Sequence, residues 1–387
     1  MNKTDKIFKY CKDFSSSIIR RLQKEEALKD AFICGSISRN EALPMSDIDI
    51  IYFGKHKELK KLNIDGIDRI DDIKVDTKTA ERLLTSMSPE SGFLDSRPIC
   101  GSKYHKYHGT YNDSQYLLNR FIWDYHYRFL NERSDDQTGY NLKYSVGAYR
   151  DIFLVDLFAR FLNNKKNSGR PEILQSIEKI KKAIEYDYKA LLESIATIMI
   201  TKYAVLLAHA STDSRGRTQL NNETLKQTFK LDKNFADYFK NNKSEFWNRY
   251  LNSKKVVKVF LDKIYNYINE NHKDLFYDYI KTAVDILNSK ESENLEEILD
   301  KKVANHFPVL ASIILNERCL GKMLSRIAKK CSGDPSHYYT NRLIIKSTKV
   351  DFKTLRFLLE NSKFALDDWT NERYKKIILD KLKTSHD

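Results

Sequence analysis

The period of the apolar residues changes along this chain, and that change limits the fold more than any other feature. Strand-like runs occur only near the start: AFICG (31–35), SDIDIIYFG (46–54) and DDIKVD (71–76). Helical spacing precedes the first run, resumes after the third, and dominates from about Asp113 onward. We therefore predict an α+β head over residues 1–112, a small mixed sheet with flanking helices, followed by a mainly α-helical remainder.

The helical remainder divides further into a helical domain over residues 113–275 and a basic helical region over residues 276–387. In the second region, segments of similar pattern begin at Ile286, Ile314 and Leu343, each an apolar helix end, a polar turn and a second helix. Such pairs bury a shared core only when they stack in series, which predicts an α-solenoid-like repeat. Ordinary antiparallel helices are the alternative, since the copies are degenerate.

The composition of the 387 residues, 31% charged and 41% hydrophobic, is typical of a soluble globular protein. The longest apolar stretch, residues 191–210, contains Glu193 and Lys202, which favours a buried helix over a membrane span. The polar start MNKTDKIFKYCKDFSS predicts no export leader. The five cysteines are scattered and form no C-x-x-C pair, so we expect reduced thiols in the cytoplasm and no structural zinc.

Basic residues are concentrated towards the end of the chain. The formal net charge is +14, and residues 301–387 hold +9 of it, with 18 Lys or Arg against 9 Asp or Glu. A local basic excess favours an acidic partner, of which nucleic acid is the commonest. No RNA- or DNA-reading motif accompanies the charge, so lysines that only solvate helix surfaces are the alternative explanation.

A pair of aspartates lies on the second predicted strand. Asp47 and Asp49 alternate there, so their side chains leave the same face. Two carboxylates this close repel each other unless a counter-charge is present, and a divalent cation supplies one. Oxygen ligands that leave water positions open suit Mg²⁺ bound jointly with the phosphates of a nucleotide.

A glycine turn precedes the aspartates. Gly35 allows the backbone to approach a triphosphate closely, the Ser36 hydroxyl can donate to a phosphate oxygen, and Arg39 can add positive charge. A third acid is needed to bridge the reacting metal and to deprotonate the attacking hydroxyl. Asp76, which ends the third predicted strand, is our first candidate, and Asp72 is the second.

The succession of strand, Gly-Ser turn, Asp-x-Asp strand and acidic third strand resembles the active-site signature of the DNA polymerase β-like nucleotidyltransferases. Within that superfamily, GSISRNEALPMSDID (35–49) is similar, without a gap, to the G-G-Y-G-R-G-E-L-x-P-x-S-D-I-D of bacterial PII uridylyltransferases. FLDSRPICG (93–101) and NLKYSVGAYRDI (141–152) resemble that family's L-L-D-A-R-x-I-x-G and N-I-K-E-G-P-G-G-L-R-D-L, in the same order. The matching positions are Gly35, Arg39, Glu41, Pro44, Ser46, Asp47, Asp49, Leu94, Asp95, Arg97, Ile99, Gly101, Asn141, Lys143, Gly147, Arg150 and Asp151.

The resemblance implies the polymerase β-like nucleotidyltransferase fold and transfer of a nucleoside monophosphate, UMP or AMP, from an NTP to a hydroxyl with release of pyrophosphate. It implies that Asp47, Asp49 and Asp76 carry catalysis and hold two Mg²⁺ ions, or Mn²⁺ in their place. The acceptor that it suggests is a tyrosine or another hydroxyl of a protein. The nucleotide-binding residues would be Gly35, Ser36, Arg39, Ser46, Lys143 and Arg150.

Departures from those uridylyltransferases leave alternatives open. Tyr144 replaces a glutamate and SVGA (145–148) replaces Gly-Pro-Gly-Gly, which alters the loop expected beside the nucleotide. Beyond residue 220 the resemblance ends, so we expect neither a phosphohydrolase domain nor sensor domains. One alternative is the same chemistry on an RNA 3′ end, bound through the basic region, or on a second nucleotide. The other is a catalytically silent binding scaffold, although a retained cluster of repelling carboxylates argues against it.

Overall fold

The computed structural model describes residues 3–25, 28, 31–42, 46–53, 67–94, 97–99, 113–131, 140–143, 145–163, 173–208, 219–288, 294–366 and 368–383. Within these ranges, the chain forms a small four-stranded sheet near its start and helices through most of the rest. The predicted α+β head with a mainly helical remainder is therefore confirmed. A short pairing of β5 (Tyr140–Asn141) with β6 (Gln219–Leu220) lies among the helices.

The head is built on a mixed sheet with the strand order β3-β2-β1-β4. Its strands are β1 (Ala31–Cys34), β2 (Ser46–Phe53), β3 (Ile67–Val75) and β4 (Arg97–Pro98). β1 runs antiparallel to both β2 and β4, whereas β2 and β3 are parallel. The three predicted strands are all present, and the third begins earlier than its sequence pattern indicates.

The register of the parallel strands decides which acids share one end of the sheet. Asp49 pairs with Asp71, and Phe53 pairs with Val75. Parallel strands advance in the same direction, so the end of β3 lies beside the end of β2. Asp47 lies near the start of β2 and is therefore at the opposite end of the sheet from the last residues of β3.

The sheet buries different residues on its two faces, as the two-residue period of a strand requires. On one face, Ile33 and Ile50 join the end of α1 (Lys3–Leu22) in a small core. On the other face, Phe32 and Ile51 join a large core that continues through the helical part of the chain. Both faces are thus covered, one by the first helix and the other by the helices that follow the head.

The helices follow one another along the rest of the chain. They are α2 (Gly35–Ser38), α3 (Thr77–Thr85), α4 (Ser114–Asn131), α5 (Tyr149–Asn163), α6 (Ile173–Ile180), α7 (Tyr188–Ala208), α8 (Asn222–Leu231), α9 (Lys233–Tyr238), α10 (Lys243–Asn271), α11 (Asp278–Asn288), α12 (Leu295–Asp300), α13 (Phe307–Leu315), α14 (Gly321–Cys331), α15 (Tyr338–Lys346), α16 (Phe352–Asn361) and α17 (Asp368–Lys383). α4 packs along α5 and α7 packs along α10, and these four helices contribute many residues to the large core.

The long apolar stretch of the sequence forms α7. By length and composition alone this helix could cross a membrane, but 56% of its most apolar 18-residue window is buried inside the protein. Leu191, Ile195 and Ile198 are fully buried in the large core. The predicted buried helix is therefore present over residues 191–208, and residues 209 and 210 lie outside the described residues.

Three helix pairs follow one another near the end of the chain: α11 with α12, α13 with α14, and α15 with α16. The first helices pack in series, α11 on α13 and α13 on α15, and α14 packs on α16. Hydrogen bonds join successive turns, since the Asn316 amide donates to the Ile286 carbonyl (3.0 Å) and the Lys349 ammonium donates to the Glu317 carbonyl. The predicted helix pairs are present, and their identity as an α-solenoid-like repeat stays a prediction.

Residues 86–91, here called the brace segment, follow α3 and hold the head against the rest of the chain. The Arg120 guanidinium on α4 donates to the Ser88 carbonyl (3.0 Å). The Phe307 N–H, at the start of α13, donates to the Ser86 carbonyl (2.8 Å). The position of the head is therefore fixed by residues that lie far along the sequence.

Candidate active site

Gly35 lies where β1 ends and the short turn α2 begins. Its φ is +69°, a left-handed conformation that glycine adopts without steric cost. A Cβ atom at this position would stand 2.4 Å from Asp49 Oδ2, too close for non-bonded atoms. The approach follows from the register, since Cys34 pairs with Asp49 on the neighbouring strand. The glycine turn and the Asp49 carboxylate are therefore in direct contact.

The two aspartates of β2 lie on one face of the sheet. Asp47 and Asp49 are half-buried and alternate with Ile48 and Ile50, which belong to the small core on the other face. Ile51 continues the aspartate face into the large core. The two carboxylates therefore lie near the start of β2, on the face that the helical part covers.

The structure does not bring Asp76, the first candidate for the third metal ligand, to the position beside Asp49. Asp76 follows Val75, the partner of Phe53, and so lies about 16 Å along the strand direction from the position beside Asp49. Its exposed carboxylate accepts hydrogen bonds from the Thr79 N–H (2.7 Å) and the Thr79 hydroxyl (3.1 Å). Asp76 is therefore the N-cap of α3, a role that accounts for an aspartate at this position.

The second candidate, Asp72, is also misplaced, whereas its neighbour Asp71 has the register of a third ligand. Asp71 is the direct partner of Asp49 and shares the parity of Ile73, which belongs to the large core. Asp72 pairs with Ile50, which lies on the opposite face. The alternation within IDDIKVD indicates that Asp71 and Asp72 lie on opposite faces of the strand. Only the parallel register shows that Asp71 is the one beside Asp49.

The turn after Gly35 is held by its own backbone and by Glu41. The carbonyl of the half-buried Ser36 accepts the N–H groups of Glu41 (2.9 Å) and Arg39 (3.2 Å). The Arg39 guanidinium donates to the buried Glu41 carboxylate (2.8 Å) and lies 4.9 Å from the centre of the Phe153 ring. Burial acts to lower the pKa of Arg39, but the charge and hydrogen bond of Glu41 and the other acidic groups nearby together outweigh it, so the pKa is raised. Arg39 thus supports the turn, and its contact with phosphate stays a prediction.

The remaining predicted nucleotide-binding residues lie on both sides of the site. Ser46 is buried at the first position of β2, Lys143 is half-buried, and Arg150 is exposed in the first turn of α5. The Arg150 N–H donates to the Lys143 carbonyl (3.0 Å). Between them Gly147 has φ +76°, and a Cβ atom there would stand 2.0 Å from the Lys254 carbonyl oxygen. Glycine is therefore required where this loop touches α10.

Lys202 of α7 is a residue of the site that sequence reasoning missed. It is half-buried, and its ammonium lies 3.5 Å from the centre of the Tyr149 ring. Burial and repulsion from Lys143 lower the pKa of Lys202 to about 7, against the attraction of Glu41 and Asp47. A cation of the helical part thus interacts electrostatically with Glu41 and Asp47 of the head. The available signal was a single lysine inside an otherwise apolar helix.

Some residues of the resembling motifs lie outside the described residues: Pro44, Asp95, Gly101 and Tyr144. Asp151 has a structural role, because its carboxylate accepts the Gly147 N–H (2.7 Å) and so shapes the loop before α5. Among the side chains that the structure describes, which do not include that of Asp71, no group of three His, Cys, Asp or Glu could hold a metal ion.

The donor set at the start of β2 fits a divalent cation. Asp47 and Asp49 offer oxygen ligands from one face, and two neighbouring carboxylates are stabilised by a positive counter-charge. Gly35 leaves the room that the Asp49 carboxylate occupies. Asp71 has the register position from which a third carboxylate could join them.

Comparison with known proteins adds one finding. Residues 15–100 match the family model of a nucleotidyltransferase domain. The matched region runs from within α1 to just beyond β4 and contains the glycine turn and the aspartates of β2. No curated protein and no solved structure matches the chain. The family match supports a transferase that uses an NTP and transfers its nucleoside monophosphate.

Proposed function

We propose that this chain is a metal-dependent nucleotidyltransferase that transfers UMP or AMP from an NTP to a hydroxyl of a protein. One observation carries the proposal: the Gly35 turn is in direct contact with Asp49, with Asp47 on the same face and both inside the matched domain. Two parts of one sequence signature, separated by a loop, thus meet at one point of the fold.

The metal ligands in this proposal are Asp47, Asp49 and, from its register, Asp71. Together they would hold two Mg²⁺ ions, or Mn²⁺. When bound, these ions would polarise the α-phosphate and lower the pKa of the attacking hydroxyl. The carboxylates themselves would orient the acceptor oxygen, and Asp71 would receive its proton.

Cations from both parts of the chain would bind the triphosphate. Gly35 and Ser36 would lie along it, while Lys143 and Lys202 would face its negative charge from the helical part. The two lysines repel each other in the nucleotide-free protein, which is one reason that the pKa of Lys202 is lowered. An anion between them would remove that repulsion, so this arrangement supports a phosphate-binding role.

The transfer would proceed by in-line displacement. The acceptor oxygen forms a bond to the α-phosphorus, and the bond from that phosphorus to the oxygen that bridges to the β-phosphate breaks. Pyrophosphate leaves with the bonding electron pair, and the proton of the hydroxyl passes to Asp71.

The resemblance to PII uridylyltransferases supports a protein acceptor and UTP or ATP as donor. A cytoplasmic location agrees with Cys11, Cys34, Cys319 and Cys331, none of which forms a disulfide in the part of the chain that the structure describes. We retain residues 1–112, 113–275 and 276–387 as three functional regions, the last with an α-solenoid-like repeat that presents the basic surface. No membrane partner is proposed.

Transfer to RNA is the second candidate function, and the charge of +9 over residues 301–387 favours it. The RNA 3′ end would then be held by the basic region, and a second nucleotide is the corresponding small acceptor. The catalytically silent scaffold is a weaker candidate than either transferase. Asp71 lies directly beside Asp49 in the register, where a third metal ligand is needed, whereas Asp72 and Asp76 do not.

Label transfer tests the proposal. The purified protein and its Asp49→Asn variant are incubated with each α-labelled NTP, Mg²⁺ or Mn²⁺, and a cell extract. We expect label in a discrete protein band with one NTP, and none with the variant. Label that disappears on ribonuclease treatment would move the acceptor to RNA. Absence of label with every NTP would overturn nucleotidyl transfer and leave the scaffold.

A further inference from the structure

Tyr149, the first residue of α5, joins the helical part to the glycine turn. Its ring is buried, and its hydroxyl donates to the Glu41 carbonyl oxygen (3.2 Å) and lies 3.4 Å from Glu41 Oε2. Burial, and then the charge of Glu41, raise the pKa of Tyr149 well above its ordinary value. The hydroxyl therefore keeps its proton and remains a donor throughout the physiological pH range.

Glu41 connects the Tyr149 hydroxyl to the glycine turn through its own hydrogen bonds. Its N–H donates to the Ser36 carbonyl (2.9 Å) and its carboxylate accepts the Arg39 guanidinium (2.8 Å). Only 4% of Glu41 is exposed, so these bonds are shielded from competing water. A shift of the Tyr149 hydroxyl would therefore move the backbone that contains Ser36.

The face of the same ring supports Lys202. The ammonium lies 3.5 Å from the ring centre, within the range of a cation–π contact. One side chain thus contacts the turn through its hydroxyl and the lysine through its ring. Tyr149 therefore connects the turn and Lys202, the two groups that we assign to the triphosphate.

We propose that Tyr149 is a positioning residue that sets the distance between the Gly35-Ser36 turn and Lys202, and thereby the affinity for the NTP. The inference rests on the proposed function, because it takes the triphosphate as the ligand between the two. A positioning residue of this kind affects ligand binding equally in the ground state and in the transition state. Its substitution therefore changes KM and leaves kcat nearly constant.

The test measures NTP affinity and turnover separately. The affinity for a non-transferable α,β-methylene NTP with Mg²⁺ is measured by calorimetry, and KM and kcat are measured by label transfer. We expect Tyr149→Phe, which removes only the hydroxyl, to raise Kd and KM about tenfold with kcat changed less than about twofold. Tyr149→Leu also removes the ring beneath Lys202 and should weaken binding further.

Tyr186→Phe is the matched control. The Tyr186 hydroxyl donates to the Val256 carbonyl (2.9 Å), so this variant also loses one tyrosine hydrogen bond between elements of the helical part. We expect a comparable fall in melting temperature and an unchanged Kd. A Tyr149→Phe variant that behaves like this control, with lower stability and unchanged Kd, would reduce Tyr149 to a structural residue and overturn the inference.

A double-mutant cycle keeps the inference testable if Tyr149→Leu folds poorly. Lys202→Met removes the cation and leaves the ring in place. If the Tyr149 hydroxyl sets the distance between the turn and Lys202, its loss should matter less once the cation is absent. The double variant with Tyr149→Phe should then bind the NTP analogue more strongly than the sum of the single losses predicts. Strict additivity would contradict that link. A wild-type protein that binds the analogue without transferring label would refute the proposed function alone, whereas one that binds no analogue would refute both.

Discussion

The two ends of the small sheet both contain aspartates and use them differently. At the start of β2, a glycine with φ +69° makes room for the Asp49 carboxylate, and cations of the helical part lie nearby. At the end of β3, both oxygens of Asp76 accept hydrogen bonds from Thr79, and the brace segment follows. Asp49 is therefore a candidate metal ligand because the neighbouring backbone leaves room for its carboxylate. Asp76 instead uses its carboxylate to cap the helix that follows it.

The largest expected effect separates Asp71 from Asp76. Asp71→Asn should lower the transfer rate by about three orders of magnitude, as should Asp49→Asn, because metal ligation contributes several kcal/mol to transition-state stabilisation. The rate of label transfer at saturating NTP is the measurement. Asp72→Asn is the matched control and should retain activity. An active Asp71→Asn variant would remove the third ligand from the site and reverse the comparison of the two ends.

The sequence was sufficient for one half of this comparison. The alternation of Asp47 and Asp49 correctly predicted their common face, and the Gly-Ser turn was correctly placed before them. The sequence does not contain the direction in which β3 pairs with β2, since alternation defines the faces of a strand and not its neighbour's register. Asp76 and Asp72 were therefore named as the candidates, and Asp71 was missed. Lys202 was missed because its approach to Asp47 depends on how α7 packs against the head.

The next effect concerns the glycine turn. Gly35→Ala should lower the transfer rate about a hundredfold or more, because the new Cβ atom would displace the Asp49 carboxylate from 2.4 Å away. The left-handed backbone adds about 1–2 kcal/mol of strain to the folded state. Label transfer and thermal unfolding measure the two consequences. Gly92→Ala, where a Cβ atom would meet nothing within 4 Å, is the control. Equal activity of both variants would show that the contact is not needed.

Acid should destabilise the turn before α15, which contains His337 and packs against α3. Burial lowers the pKa of His337 to about 4 from an ordinary value of 6.5. The unfolded chain binds a proton to this histidine below pH 6.5 and the folded chain does not until about pH 4, so stability falls as the pH decreases between these values. We expect a loss of about 2 kcal/mol between pH 7 and pH 5 in urea unfolding. His337→Gln should lack this part of the loss, and an identical pH profile in that variant would assign it to other groups.

The smallest effect concerns Asp76. Asp76→Ala should lower the free energy of unfolding by about 1 kcal/mol, because the first turn of α3 loses its N-cap. Transfer activity per folded molecule should not change. Asp76→Asn, which retains a capping oxygen, should lose less stability. A hundredfold loss of activity in Asp76→Ala at full folding would show that the two ends of the sheet are coupled in a way that their separation does not suggest.

The brace segment has a consequence for the synthesis of the protein. A ribosome that has released the first 112 residues has already made every candidate metal ligand. The contacts that fix the segment come from Arg120 and Phe307, which emerge later. We therefore expect nascent chains and prematurely terminated products to contain the candidate metal ligands without the contacts that complete the candidate active site. Nucleotidyl transfer would begin only when nearly the whole chain has been translated.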